Sequence, residues 1–230
     1  MKVQYSILYQ DPSLILADKP QGVATGFGEK RNLCEMIFND FPELKKVRGY
    51  NSNEGGLLNR LDNETGGIVL FAKHDDSFDY YSDLMKAEKI AKFYTAVSEG
   101  IPAHQKGMID IPLAHHLKNR KKMTVVSGHT KYRSTPREAK TEWELIRTED
   151  KFSLLNICIR KGMRHQIRLH LAHIGLPIVG DKLYNKKKYP GIENHLFYAH
   201  GIQFVSLENK KIEIYTDVPF IKDRIGDAAK

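Results

Sequence analysis

Cysteine is nearly absent. Cys34 and Cys158 are the only two in 230 residues. Two thiols build neither a disulfide framework nor a four-cysteine zinc site, and a reducing cytoplasm is the compartment they fit. Long apolar runs are missing too. No stretch approaches the roughly 20 residues that a membrane-spanning helix needs, so no membrane partner is expected. Asp11 and Asp18 interrupt the early apolar residues, and no signal peptide is evident. Acidic charge is scarce: 28 Asp and Glu stand against 36 Lys and Arg, a net charge of +8. Such a surplus favours a polyanion, RNA or DNA first. The plainer alternative is a soluble surface with extra lysines. Ligand signatures are also lacking. "GFGEKR" has no third glycine and no βαβ unit around it, so it is not a dinucleotide fingerprint, and there is no phosphate-binding P-loop. His165, His170 and His173 share one helical pattern but lack the H-E-x-x-H order of zinc hydrolases. No metal is expected.

What is present looks globular. Apolar residues are 41% and charged residues 28%, ordinary proportions for a chain with one large core or two small ones. Residues 6–17 read as two short strands around an Asp11-Pro12-Ser13 turn. "LCEMIFNDF" has helical spacing, with Leu33, Met36 and Ile37 on one face. A strand is expected from Ile68 to about Lys73, then a helix over "HDDSFDYYSDLMKAEKI", acidic at its start and basic at its end. "AKFYTAVSEG" alternates as a strand. Residues 115–137 form a basic span with no visible period. "AKTEWELIRTED" and "KFSLLNICIRKG" read as a strand pair turning near Glu149-Asp150. "RHQIRLHLAHIG" reads as a helix with Ile167, Leu171 and Ile174 toward the core and Arg164 and Arg168 sharing another face. Two further strands and a polar tail end the chain. Strands outnumber helices and do not alternate with them, which predicts an α+β fold.

One stretch carries chemistry: "LLNRLDNETGGIVLFAK", residues 57–73. If residues 59–62 are extended, Arg60 and Asp62 point to the same side. Asp62 then offers an acceptor or nucleophile, and Arg60 a planar cation that stacks or meets phosphate. The plain alternative is a turn in which Asp62 only bonds backbone amides. An aspartate nucleophile must stay ionised in a partly dry site, and Arg168 or Arg164 could supply the balancing charge.

Four ordered blocks then carry a resemblance. "ILADKPQGV" is similar to a K-P-x-G element, and "NRLDNETGGIVLFAK" to H-R-L-D-x-x-T-S-G. "AKFYTAVSEG" is similar to K-x-Y-x-A-x-V-x-G. "KGMRHQIRLHLAHIGLPIVGDKLYN" is similar to G-R-x-H-Q-I-R-x-H-x-x-x-x-G-x-P-I-x-G-D-x-x-Y. Together they resemble the RluA-type pseudouridine synthases over about residues 5–205. The resemblance implies a mixed, largely antiparallel sheet with flanking helices and a basic central cleft, in a single catalytic domain over 1–230 without a separate N-terminal RNA-binding domain. It implies isomerisation of uridine in ribosomal RNA or tRNA, with no organic cofactor. By motif position, Asp62 is the catalytic aspartate and Tyr94 stacks on the base and moves a proton. Arg168 pairs with the catalytic carboxylate, and Arg60 holds the target nucleotide flipped out. Ile178 packs near the uracil. Arg164 and His165 are expected to contact substrate, and a monomer suits a domain facing a large RNA. Asn59, Gly66-Gly67 and Met163 depart from the family pattern, where His, Ser-Gly and Arg are usual. Two rivals are an RNA-binding protein or chaperone that lost catalysis, and a glycosidase. The latter needs a second carboxylate facing the first, for which Glu64 is a poor candidate.

Overall fold

The computed structural model describes residues 4–29 and 31–221. Most of the expected polar tail lies outside the described residues. In chain order the strands and α-helices are β1 (Ser6–Gln10), β2 (Leu14–Lys19), α1 (Leu33–Asp40), β3 (Gly66–Ala72), α2 (Asp75–Lys86), β4 (Ala91–Glu99), β5 (Lys106–Asp110), β6 (Leu113–His115), β7 (Met123–Val125), β8 (Lys140–Glu149), β9 (Phe152–Ile159), α3 (Gln166–His173), β10 (Phe197–Val205) and β11 (Lys211–Tyr215). They gather into two compact units. One comprises Met1–Lys92 with Tyr198–Asp217, the other Phe93–Phe197 with Val218–Lys230.

In the first unit, Asp11 closes the β1–β2 turn. Its Oδ1 accepts the Ser13 and Leu14 N–H groups at 2.7 and 2.8 Å, the local bonding that makes aspartate a turn residue. β2 and β3 are near-continuous apolar runs and pair antiparallel from Leu14–Ala72 to Lys19–Gly67. β10 joins β3 in parallel through Tyr198–Gly66 and Ala199–Gly67, and β11 returns antiparallel on β10. Leu14, Leu16, Ile68, Leu70, Ile202 and Phe204 meet Phe78 and Tyr81 of α2 in one core. α2 opens on a capping box between His74 and Ser77.

In the second unit the order is β4-β9-β8-β5. β8 and β9 pair antiparallel, and Asp150 turns between them at φ 53°. Val97, Phe152, Leu154, Val179 and Leu196 pack together. The α+β expectation holds: β1 with β2, β2 with β3, β5 with β8, β6 with β7, β8 with β9 and β10 with β11 pair antiparallel, and β3 with β10 pairs parallel.

Three local expectations are corrected. The span 115–137 is not irregular throughout: β6 and β7 pair from Leu113–Val125 to His115–Met123. Three-residue strands are too short to show a period, and a small cluster of Leu113, Met123 and Ala139 holds them. Ile174 is 38% exposed while Ile167 and Leu171 are buried, because α3 ends at His173 and Gly175 turns the chain at φ 81°. Arg164 and Arg168 do not share a face. Arg164 precedes the helix and is exposed, whereas Arg168 is buried. β5, unforeseen, edges β8.

Two glycines let β10 approach β3. A Cβ on Gly66 would lie 2.3 Å from the Tyr198 ring. Gly67 has φ +115°, and its Cβ would lie 2.1 Å from the Ala199 carbonyl oxygen. Gly67→Ala is therefore expected to destabilise the protein by about 1–3 kcal/mol. The check is a lowered urea midpoint at unchanged slope; an unmoved midpoint would mean that the β3–β10 ladder yields without cost.

Candidate active site

Asp62 sits in the first unit, in the turn that feeds β3. Local bonds fix every residue around it. Asn59 runs beside β3 as if it were a strand: its Oδ1 accepts the Leu70 N–H at 2.8 Å and its amide donates to the Ile68 carbonyl at 3.3 Å. Thr25 clasps Leu61 from both sides, its Oγ1 donating to the Leu61 carbonyl at 2.8 Å and accepting the Leu61 N–H at 3.1 Å. The Thr65 N–H closes the turn on the Asp62 carbonyl at 3.0 Å. Leu61 is buried, Asp62 half-buried and Arg60 exposed, the alternation expected of an extended approach.

Beneath this turn lies Lys19, with no exposed surface. Its Nζ donates to the carbonyls of Val23 at 2.6 Å, Pro20 at 3.0 Å and Asn63 at 3.3 Å. Burial pushes its ammonium down to about 7, against the pull of the Asp62 and Asp18 charges. Asp18 in turn accepts the hydroxyls of Tyr198 at 2.7 Å and Thr216 at 3.0 Å.

Arg60 leaves the same loop toward solvent, its side chain 54% exposed. Its Nη1 lies 3.1 and 3.2 Å from the two carboxylate oxygens of buried Glu54. Arg60 also lines a pocket of about 210 Å³ with Leu61, Asn63 and the loop 24–29.

The second unit holds Tyr94 and Arg168. Tyr94 is buried on β4, and its ring stacks on Phe197 at 5.2 Å between centroids and 16° between planes. Arg168 on α3 makes a two-pronged bond to Asp181: Nε to Oδ2 at 2.7 Å and Nη2 to Oδ1 at 2.8 Å. Burial would raise the Asp181 carboxyl. The Arg168 bonds and charge, with the Leu183 N–H, hold it below the usual carboxylate range instead. The Tyr184 ring lies 5.5 Å from the Arg168 guanidinium. The Tyr184 hydroxyl bonds His165 Nδ1 at 2.9 Å and accepts the Met123 N–H at 2.9 Å. This ties the start of α3, where His165 takes φ 56°, to β7. Ile178 is fully buried, and Arg164 reaches the Lys121 carbonyl at 3.4 Å.

A family model described as RNA pseudouridylate synthase matches residues 13–173. The chain belongs to that family. It is 29% identical over 191 residues to an uncharacterized RNA pseudouridine synthase of Aquifex aeolicus, an alignment covering 80% of this chain and 57% of that protein. It is 30% identical over 217 residues to ribosomal large subunit pseudouridine synthase C of Rickettsia felis, covering 93% of this chain and 68% of the relative. The chain spans between 40% and 63% of the length of several curated relatives it matches. In fold it is similar to human RNA pseudouridylate synthase domain containing 1, at TM-score 0.78 and 18% identity over 95% of this chain and 85% of that one.

The family match includes Arg60, Asp62, Tyr94, Arg164, His165 and Arg168 but ends before Ile178 and Asp181. Arg60 and Asp62 share a loop of the first unit; the other expected residues belong to the second. Sequence reasoning missed Lys19, Glu54, Asp181, Tyr184 and Phe197 as supports. Lys19 and Asp181 stand inside the quoted blocks as a lysine before proline and an aspartate after glycine, which was their signal. Glu54 is one acid in a polar loop and gave none. Among the described residues, no three His, Cys, Asp or Glu side chains gather as metal ligands would, and no helix is long and apolar enough to cross a membrane.

Asp181→Asn removes a bidentate acidic partner from the buried Arg168 charge, so a loss of about 3–5 kcal/mol is expected. Urea unfolding measures it, and a loss below about 1 kcal/mol would mean that the pair adds no more than a surface bridge. Lys19 sets a pH dependence. Between its folded value of about 7 and its ordinary 10.5, the unfolded chain binds a proton that the folded chain does not. Stability therefore rises with pH in that window. Lys92, which burial pushes down to about 8, acts in the same direction. The urea midpoint is expected to rise from pH 7.5 to 9, and less so in Lys19→Met; an equal rise in both proteins would remove Lys19 as the source.

Proposed function

We propose that this chain isomerises uridine to pseudouridine in ribosomal RNA or tRNA, its two units serving as one catalytic domain over residues 1–230. The observation that carries this reading is the family match over residues 13–173, inside which the N-R-L-D turn is held rigidly by Thr25, Asn59 and Lys19. The reaction breaks the bond from C1′ to N1, turns the uracil over and joins C1′ to C5. The proton lost from C5 is balanced by one gained at N1, so nothing is consumed.

Asp62 is the essential group, acting on the sugar or on the base. Tyr94 stacks on the uracil and passes the proton. Arg168 supplies the compensating positive charge. A base in a paired stem must leave the stack first, at a cost of a few kcal/mol. Arg60 offsets this by filling the gap. Ile178 packs near the uracil, and Arg164 and His165 contact the RNA. Exposed Lys118, Arg120, Lys121, Lys131, Arg133 and Arg137, with Lys186 to Lys188, meet phosphates. The reading includes a monomer in the cytoplasm. The large ribosomal subunit named by several relatives makes its RNA the first substrate to try.

The test is to incubate purified protein with large-subunit ribosomal RNA and with total tRNA lacking modification. A carbodiimide label that marks pseudouridine is then read by primer extension. The wild type is expected to produce a stop at one or more sites, and Asp62→Asn none above background. RNA binding by both proteins with no stop from either would turn the conclusion to an RNA-binding protein on this fold.

A further inference from the structure

Arg60 is long, half in solvent and asked to enter an RNA stack. A side chain of that kind ordinarily loses rotamer freedom when it binds, which weakens the contact it makes. Here one edge is already held. Glu54 is 3% exposed and takes Arg60 Nη1 on both carboxylate oxygens. The carboxylate is fixed in its turn: Asn51 donates its side-chain amide to Oε2 at 2.6 Å and accepts the Glu54 N–H on its carbonyl at 3.0 Å. The loop 24–29 closes over the pair. A Cβ on Gly26 would lie 1.8 Å from Glu54 Oε1 and 2.9 Å from Arg60 Nη2, so the Gly26 backbone rests directly on both charges. Thr25, next to it, is the residue that clasps Leu61 between Arg60 and Asp62.

The two partners are unequal. Glu54 is walled in, whereas Arg60 reaches solvent and the 24–29 pocket. A buried carboxylate pays heavily for losing its cation, so it anchors the arginine more firmly than a surface acid would. Cys34 at the start of α1 feels both charges: burial and Glu54 push its thiol up to about 12, and Arg60 opposes them. The pair is thus packed against the body of the first unit.

We propose that Glu54 is a positioning residue that presents Arg60 to the RNA in the orientation needed to fill the gap left by the departing uridine. It touches no substrate, and the proposal rests on the function proposed above.

The test uses the full chain and a stem-loop RNA that carries the uridine found to be modified, with 2-aminopurine as its neighbour. Stopped-flow fluorescence reports unstacking, and single-turnover assays report product. Glu54→Gln keeps the volume and removes the charge. It is expected to slow unstacking about fivefold, the scale of ordering one rotamer-rich side chain, while RNA affinity changes less than about twofold. On an Arg60→Ala background the same substitution is expected to have no further effect, since coupled residues are not additive. Nitrogen-15 relaxation of the Arg60 side chain in the free protein is expected to show order that Glu54→Gln abolishes. A merely structural glutamate would slow both backgrounds equally, and that result, or an Arg60 equally mobile in wild type and variant, overturns the proposal. If the wild type orders Arg60 but neither unstacks the probe nor makes product, the functional reading fails first and the proposal falls with it.

Discussion

A lysine with no exposed surface is the member on which this architecture turns. Transferring an ammonium out of water costs several kcal/mol even after relaxation. Lys19 is tolerable only because three main-chain carbonyls surround its Nζ. Those carbonyls belong to the loop after β2 and to Asn63, next to Asp62. The bonds that satisfy the lysine therefore also fix the loop that carries the candidate catalytic aspartate. Turn and lysine stand or fall together: an open turn would strand a buried amine, and a missing lysine would leave carbonyls unpaired.

The same construction recurs. Four of the candidate residues are each backed by a buried group of matching chemistry. Asp62 has the Lys19 charge beneath its turn, Arg60 has Glu54, Arg168 has Asp181, and Tyr94 has the Phe197 ring. Sites hold their geometry when the supporting side chains are themselves locked. Lys19 ends β2 and Phe197 begins β10, whereas the other two supports come from turns. The Asn51–Leu57 turn holds Glu54, and the turn after Ile178 holds Asp181, whose Oδ1 also accepts the Leu183 and Tyr184 N–H groups.

The legible parts were those with a period or a motif. β1, β2, β3, α1, α2, the β8–β9 pair and the final strands follow from apolar patterning and turn residues, although α2 stops four residues and β11 five residues short of the stretches that announced them. β6 and β7 escaped because three residues cannot display alternation among so many lysines and arginines. Arg168 reads from the sequence as part of a solvated or catalytic face, and its guanidinium also bonds an aspartate thirteen residues along the chain. No local rule links those two positions, because the contact is made by the path of the chain between α3 and β10. Spacing could nominate Arg60 and Asp62, but it could not find Glu54. Its burial depends on glycines 26, 49 and 55, which let backbone crowd around it.

Gly66 has no side chain, and the space this vacates is filled by the edge of Tyr198. The tyrosine is in turn moored to Asp18 by its hydroxyl. These three positions are therefore mechanically linked. A serine at 66 needs the ring at 198 to shrink or swing aside, and a smaller residue at 198 strips the half-buried Asp18 of a donor. Gly66, Tyr198 and Asp18 thus close a single seam, in which a change at one is felt at the other two.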